Sequence, residues 1–247
     1  MIYLYGLLVE PVPGWPLRPV GTRRPYLVKC GGVWAAVEHI TAAPTLSARA
    51  LGRHDSIVRR LAADTVALAP ARFGMVTASQ AALVRLVEKR AEETARVLNM
   101  VKHREQMTVR LFSPGSLAET AEAPTGALSR SRTTRRSARR DRRPTSDRST
   151  RRTASARGPG TRYLQERAAR EMALRRELVR LRAALGDLVV AEQIVPQASG
   201  PLLGSVYHLV ARGHAARYTA ALAGHVVEGV AVTGPAPCYA FAGGLRL

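Results

Sequence analysis

The sequence predicts an α+β protein of two domains joined by a disordered segment rich in arginine and serine. Short apolar runs typical of strands alternate with stretches of helical periodicity in both halves of the chain. No Leu, Val, Ile, Phe, Tyr or Trp occurs between Ser129 and Arg157, so this stretch cannot offset the entropy of ordering. We therefore place an N-terminal domain at 1–112, a linker at 113–160 and a C-terminal domain at 161–247.

The first domain begins with strand signals. Ile2–Val9 is an apolar run that ends before Pro11, and it predicts a buried first strand. Tyr26–Lys29 and Val33–Val37 flank a pair of glycines and predict a hairpin, of which the second strand has the clearer pattern. Val66–Leu68 predicts a short strand further along the chain.

Two helices and a last strand complete the first domain. Thr45 or Ser47 can cap one helix, and Ser79 can cap another whose apolar face extends to Leu98. Met107–Phe112 alternates apolar and polar residues, as a half-covered strand does. This alternation of strands and helices suits a three- or four-stranded sheet with both helices on one face, a rearranged ferredoxin-like domain.

The second domain is predicted to have the order αββαβ and a sheet covered on one face. A long helix capped by Thr161 carries leucines in steps of four and three, which favours packing against its own domain over a coiled coil. Val189–Val195 and Ser205–Ala211 predict strands, His214–Leu222 a short helix, and Val226–Thr233 a last strand.

The formal net charge of +20 suggests nucleic acid or an anionic surface as a partner. However, 12 arginines and 2 aspartates between Ser129 and Arg157 supply half of that charge. An RNA-binding sheet also needs exposed aromatic residues on its central strands, and Met107–Phe112 offers one, at its end. A solvated spacer is the favoured interpretation of the arginine run, and a nucleic-acid-associated protein is the alternative.

The sequence contains no motif for catalysis, metal or cofactor binding. Cys30 and Cys238 are far apart and predict buried free thiols, and the six histidines lack metal-ligand spacing. Glu38 and His39 could form an acid–base pair, but adjacent strand residues point to opposite faces. Gln193–Ala211, the longest uncharged run, is too broken by Pro and Gly for a membrane span. We expect a cytoplasmic protein that is not an enzyme.

Several short motifs run in order along almost the whole chain. They are Tyr3-Leu4-Tyr5-Gly6, Gly31–Val37, His54 with Ile57-Val58, Pro70–Gly74, Glu105–Val109, Gly160–Leu164 and Val232–Phe241. Together they resemble the gas vesicle accessory proteins of the GvpF/GvpL family. The chain departs from the family pattern at Asp55, Ala236 and Cys238, and in the length of its arginine-rich connection.

The resemblance implies a ferredoxin-like N-terminal domain, an α+β C-terminal domain and a role in gas vesicle assembly. The implied partners are the small hydrophobic shell protein of gas vesicles and other accessory proteins. The motif positions expected to be structural or partner-binding are Tyr3, Tyr5, Gly6, Arg72, Phe73, Gly74, Tyr163, Leu164, Gly234, Pro235, Tyr239 and Phe241.

Structural roles are favoured for two of these motifs, and partner binding is the alternative. Phe73 is expected in the core and Gly74 at positive φ, with Arg72 paired to a carboxylate such as Glu88, Glu92 or Glu93. Gly234-Pro235 is expected to form a turn that locks the last strand.

Overall fold

Two antiparallel sheets organise the chain. A computed structural model describes residues 1–12, 15, 25–113, 159–224 and 229–243, and the predicted α+β class is confirmed. The disorder predicted for 129–157 falls on residues outside the described ranges. Within those ranges, none of the helices combines the length and the hydropathy needed to cross a membrane.

The N-terminal sheet has β1 near its centre. Its strands are β1 (Ile2–Leu8), β2 (Tyr26–Cys30), β3 (Val33–His39), β4 (Leu68–Pro70) and the short β5 (Val76–Thr77). They follow the order β2–β3–β1–β4, and β5 also pairs with β1. Every residue of β1 is buried, as expected for a strand with cover on both faces.

Helices lie on both faces of this sheet. They are α1 (Ala48–Asp64), α2 (Gln80–Lys89) and α3 (Ala91–Val101). Helix α1 packs on the face that carries Tyr3 and Tyr5, whereas α2 and α3 pack on the face that carries Ile2 and Leu4. The prediction of both helices on one face was therefore wrong, because both sets of alternating β1 side chains are apolar and need cover.

The helix expected from Ser79 to Leu98 is in fact two helices. Ser79 accepts a hydrogen bond from the amide of Ala82 and so caps α2, as predicted. Arg90 interrupts the helical backbone with φ −116° and ψ 27°. The helical spacing of apolar residues continues across Arg90, so the sequence pattern did not predict that the helix ends there.

The C-terminal sheet has the order β7–β8–β6–β9. Its strands are β6 (Arg104–Phe112), β7 (Ala191–Pro196), β8 (Leu202–Ala211) and β9 (Val230–Ala236). Helices α4 (Pro159–Leu185) and α5 (Ala215–Ala223) cover one face, and a 3₁₀ turn (Gly186–Leu188) follows α4. Four leucines of α4 pack against this sheet, as predicted, at positions Leu174, Leu178, Leu181 and Leu185.

Strand β6 belongs to the C-terminal sheet, although the sequence analysis placed Met107–Phe112 in the N-terminal one. It pairs along its length with β8 and, on its other side, with β9. The assignment was wrong because alternation identifies which face of a strand is apolar but not which strands lie beside it.

The two sheets are tied together by local contacts. Arg212, at the end of β8, donates to the carbonyls of Thr65 and Ala62, both at 2.9 Å, and thereby caps the end of α1. The last described helix, α6 (Tyr239–Ala242), follows β9. The amide of Ala240 donates to Oε1 of Gln106 at 2.8 Å, and Phe241 is buried in the core beneath the N-terminal sheet.

Candidate functional site

Aromatic residues from distant parts of the chain surround His54 of α1. The ring of Tyr5 stacks on His54 with 5.5 Å between centroids. Tyr3 and Phe73 approach the imidazole edge to face at 5.7 and 5.9 Å, and Tyr239 of α6 lies at 6.4 Å. Four of the twelve family-motif positions thus meet around one histidine, which we call the His54 cluster.

Both ring nitrogens of His54 are engaged. Nε2 lies 3.1 Å from the carbonyl oxygen of Ala71, which can only accept, so Nε2 carries the proton. Nδ1 then accepts from the hydroxyl of Tyr3 at 2.8 Å. Burial lowers the pKa of His54, although the hydrogen bond to Ala71 acts in the opposite direction. The imidazole is therefore neutral at pH 7 and is held in one tautomer.

A buried carboxylate lies next to the His54 cluster. Glu38 of β3 is 2% exposed and accepts from the Tyr5 hydroxyl at 2.5 Å. Arg53 donates to both Glu38 oxygens at 2.8 and 2.9 Å. Burial, followed by the hydrogen bond to Glu38, raises the pKa of Tyr5. The Glu38 charge is therefore compensated, as a buried charge must be.

The C-terminal end of the described chain completes the cluster. The Tyr239 hydroxyl donates to Oδ1 of Asp55 at 3.3 Å. Burial raises the pKa of Tyr239, and the nearby Asp55 charge adds to this effect. Tyr239, from the last family motif, therefore packs against the same histidine as Tyr3 and Tyr5, from the first motif.

An open cavity of about 680 Å³ lies beside the His54 cluster. Its lining includes Tyr3 and Tyr5 of β1, Glu38 of β3, Phe73, and Ile40 and Pro44 from the segment before α1. The N-cap residue and helix α1 supply the rest, namely Ser47, Arg49, Ala50, Arg53, His54 and Ser56. The volume falls within the range of about 300–1,000 Å³ that is typical of ligand sites.

A second buried histidine lies in the C-terminal sheet. His208 of β8 is 1% exposed; its Nδ1 lies 2.6 Å from the Tyr218 hydroxyl and its Nε2 lies 3.0 Å from Oε2 of Glu192. Burial lowers the pKa of His208, while the hydrogen bond to Glu192 opposes this effect. Burial acts to raise the pKa of Glu192, but bonds from Arg182 and His208 outweigh it and hold that pKa low.

The motif residues near the β1–β4 pairing have distinct places. Gly6 lies where β4 comes so close that an added Cβ would stand 2.9 Å from the carbonyl oxygen of Ala69. Gly74 has φ +86°, which confirms the predicted positive φ. Phe73 is half-buried at the edge of the cavity, outside the expected core. Arg72 donates to the Gly243 carbonyl at 3.4 Å rather than to the expected carboxylate.

The other motif positions are not all brought to this site. Tyr163 and Leu164 are 56% and 63% exposed on α4, away from the cluster. Gly234 and Pro235 lie within β9 and are joined by a cis peptide bond. The prediction of a turn there was wrong, because β9 continues past them through an irregularity in its pairing with β6.

The polar groups of the His54 cluster are engaged within the protein. His54 and the neighbouring Glu38 each hold fixed hydrogen-bond partners. Among the described residues, no group of three His, Cys, Asp or Glu side chains could hold a metal ion. Cys30 and Cys238 are buried free thiols, as predicted. Burial raises the pKa of Cys30 to about 11 and that of Cys238 to about 12, so both thiols stay protonated at neutral pH.

Sequence reasoning missed His54, Glu38 and Arg53 as members of one site. The available signal was that Tyr3 and Tyr5 share one face of β1, while His54 lies on the apolar face of α1 with Ile57. This would have placed His54 over the two tyrosines. The interaction between Glu38 and Arg53 spans two elements and left no comparable pattern.

Comparison with known proteins identifies the chain. The family model described as gas vesicle synthesis protein GvpL/GvpF matches residues 1–243. The solved structure of gas vesicle protein GvpF from Anabaena sp. PCC7120 is similar, with a TM-score of 0.69, 13% identity and coverage of 98% of this chain and 95% of that one. GvpF from Microcystis aeruginosa gives a TM-score of 0.68, 12% identity and 98% coverage of both chains. No curated protein sequence matches the chain.

The fold and the site define a two-sheet α+β protein with an aromatic cavity between β1 and α1. The family match adds the identity: the chain belongs to the gas vesicle GvpL/GvpF family. The similarity to the solved GvpF structures, at 12–13% identity, shows a shared fold. The family supports an accessory role in gas vesicles for this chain.

Proposed function

We propose that this chain is a non-enzymatic accessory protein of gas vesicle assembly that binds the hydrophobic shell protein or other accessory proteins. The observation that carries the proposal is the family match over residues 1–243. The engaged state of His54 and Glu38 supports a binding role over catalysis. We place the protein in the cytoplasm, at growing gas vesicles.

The mechanism that we propose is protection of a shell protein before it is incorporated. A subunit that polymerises into a wall exposes strand edges and apolar surface, which aggregate unless they are covered. Strand β7 lies at the end of the C-terminal sheet and pairs with β8 on one side. A partner strand added to β7 would cover such an edge by β-augmentation.

Deletion of the gene in a native host without a redundant relative tests the role. We expect cells that lack buoyant vesicles and regain them when the intact gene is returned. Normal vesicles in the deletion strain would overturn the role.

Hydrogen exchange of the purified chain with and without shell protein tests the mechanism. We expect slower exchange of the amides of β7, while those of the central strand β6, paired on both sides, serve as the internal control. Unchanged exchange along β7, measured together with demonstrated binding, would overturn β-augmentation there and leave the accessory role in place.

A further inference from the structure

The cavity beside the His54 cluster has a chemistry that selects its ligand. The hydroxyls of Tyr3 and Tyr5 point to His54 and Glu38, so their polar groups are already satisfied. Phe73, Ile40 and Pro44 add further carbon surface. This part of the lining therefore favours a large apolar side chain, whose burial gains free energy in proportion to the apolar area removed from water.

The charged side chains that line the cavity have a net positive charge. Arg53 compensates the buried carboxylate of Glu38, and burial keeps His54 neutral. Arg49, which is exposed at the start of α1 and lines the same cavity, adds a further positive charge. The charged groups that line the cavity are thus two arginines and one glutamate. A ligand with a carboxylate next to its apolar group complements this arrangement.

The surroundings favour a peptide segment over a small molecule. Leu46, in the loop before α1, is 71% exposed and follows the cavity residue Pro44 by two positions. Apolar surface therefore continues outside the cavity, where a longer chain would cover it. A second copy of this chain is disfavoured, because two molecules of net charge +20 repel each other.

We propose that this cavity binds an acidic segment of a partner protein, with a large apolar side chain inserted and a flanking carboxylate held by Arg49. The biological meaning of this contact rests on the assembly role proposed above. The binding itself is a property of the purified chain and is measured without gas vesicles.

The probe is a hexapeptide with blocked ends, in which phenylalanine is flanked by aspartates. The control peptide has lysines in place of the aspartates. Binding is followed by chemical-shift changes of the ¹⁵N-labelled full chain at low and at moderate salt. We expect the acidic peptide to perturb the amides of α1 near Ala50 and to bind about tenfold more tightly than the control peptide. Its affinity should fall as the salt concentration increases.

Two variants with matched controls locate the binding. Ala50→Trp fills the cavity from the helix side, and Ala81→Trp makes the same change on an exposed position of α2. Arg49→Glu reverses the charge of an exposed residue in the cavity lining, and Arg60→Glu does so at an exposed position of α1 outside that lining. We expect Ala50→Trp and Arg49→Glu to weaken binding about tenfold or more, and both controls to bind as the unaltered chain does.

Several outcomes would overturn the assignment. They are equal binding of the two peptides, no binding of either, or unchanged affinity in both cavity variants. Self-association of the chain that disappears in Ala50→Trp would assign the cavity to a second copy instead. Since Arg49 is exposed, Arg49→Glu should fold even if Ala50→Trp does not. If cells that lack the gene still make normal vesicles while the purified chain binds the acidic peptide, the assembly role is refuted and the binding site stands.

Discussion

His54 and His208, the two buried histidines of the described chain, have the same hydrogen-bond arrangement in different surroundings. Each accepts from a tyrosine hydroxyl at Nδ1 and faces an acceptor with Nε2. In the C-terminal sheet that acceptor is Glu192, which Arg182 also holds. In the N-terminal sheet it is the Ala71 carbonyl, and an open cavity lies beside the cluster.

The difference separates two uses of one polar arrangement. The His208 network lies among the helices and strands of the C-terminal core, with both Tyr218 and His208 at 1% exposure or less. Most residues of the His54 cluster line an open cavity. We therefore propose a role in stability for the first and a role in shaping a binding surface for the second.

Replacing each histidine by leucine tests this distinction most strongly. His208→Leu leaves the Tyr218 hydroxyl and one Glu192 oxygen without a partner in the interior, so we expect a loss of about 3 kcal/mol in the free energy of unfolding. His54→Leu should cost about 1 kcal/mol, because the Tyr3 hydroxyl still accepts from the Gly74 amide at 3.4 Å and water can reach the cavity. Urea unfolding measures both, and equal losses would contradict the distinction.

Glycines in the two sheets provide a second contrast. A Cβ at Gly6 would lie 2.8 Å from Leu68 and 2.9 Å from the Ala69 carbonyl oxygen, whereas one at Gly204 would meet Val195 and Leu174 at 3.2 and 3.3 Å. Gly6→Ala must push β4 away from β1, so we expect a loss of about 2 kcal/mol in unfolding free energy. Gly204→Ala should cost less than about 1 kcal/mol, since the Val195 carbonyl in the end strand β7 and the Leu174 side chain need to shift by only a few tenths of an ångström. The same loss in both thermal unfolding experiments would refute this explanation.

The contact of Arg212 with the end of α1, which links the two sheets, should contribute less to the free energy of unfolding than the features above. Arg212→Ala removes two hydrogen bonds to the carbonyls at the end of α1, which are partly exposed, so we expect a loss of about 1 kcal/mol. Arg110→Ala, an exposed position of β6, is the control and should change the unfolding free energy by less than about 0.5 kcal/mol. An unchanged urea midpoint for Arg212→Ala would show that this contact does not hold the sheets together.

Acidification gives the smallest effect. Burial lowers the pKa of both His54 and His208 below the ordinary value of 6.5, so below that pH the unfolded chain binds more protons than the folded chain. Stability should therefore be complete above pH 6.5 and decline as the pH falls toward the folded-state pKa values. Urea midpoints between pH 7.5 and 5.5 test this, and His54→Leu and His208→Leu should each show a shallower decline. A decline of the same slope in all three proteins would contradict this origin.

Local patterns in the sequence predicted much of the fold, because short stretches determine individual elements. The apolar run at Ile2–Val9, the cap at Ser79 and the leucines of α4 each specified an element that the structure contains. Partner choice required distant contacts. Strand β6 pairs with β8, which lies far along the chain beyond residues 114–158. Nothing in the sequence of β6 indicates that partner.

The candidate site was predictable in part for the same reason. Tyr3, Tyr5, Phe73 and Tyr239 were identified through family motifs, but their meeting point at His54 depends on the packing of α1 and α6 on the sheet. Glu38 was considered only with its neighbour His39. Its actual partners, Tyr5 and Arg53, lie 33 and 15 residues away along the chain.

Complementation of the deletion strain tests most directly the claim that this chain serves gas vesicle assembly through the cavity at the His54 cluster. Buoyancy and electron microscopy would compare strains that carry the intact gene, Ala50→Trp or Ala81→Trp, with folding of each protein checked by thermal unfolding. We expect vesicles with the intact gene and with Ala81→Trp, and few or none with a folded Ala50→Trp chain. Full buoyancy with Ala50→Trp would contradict the claim.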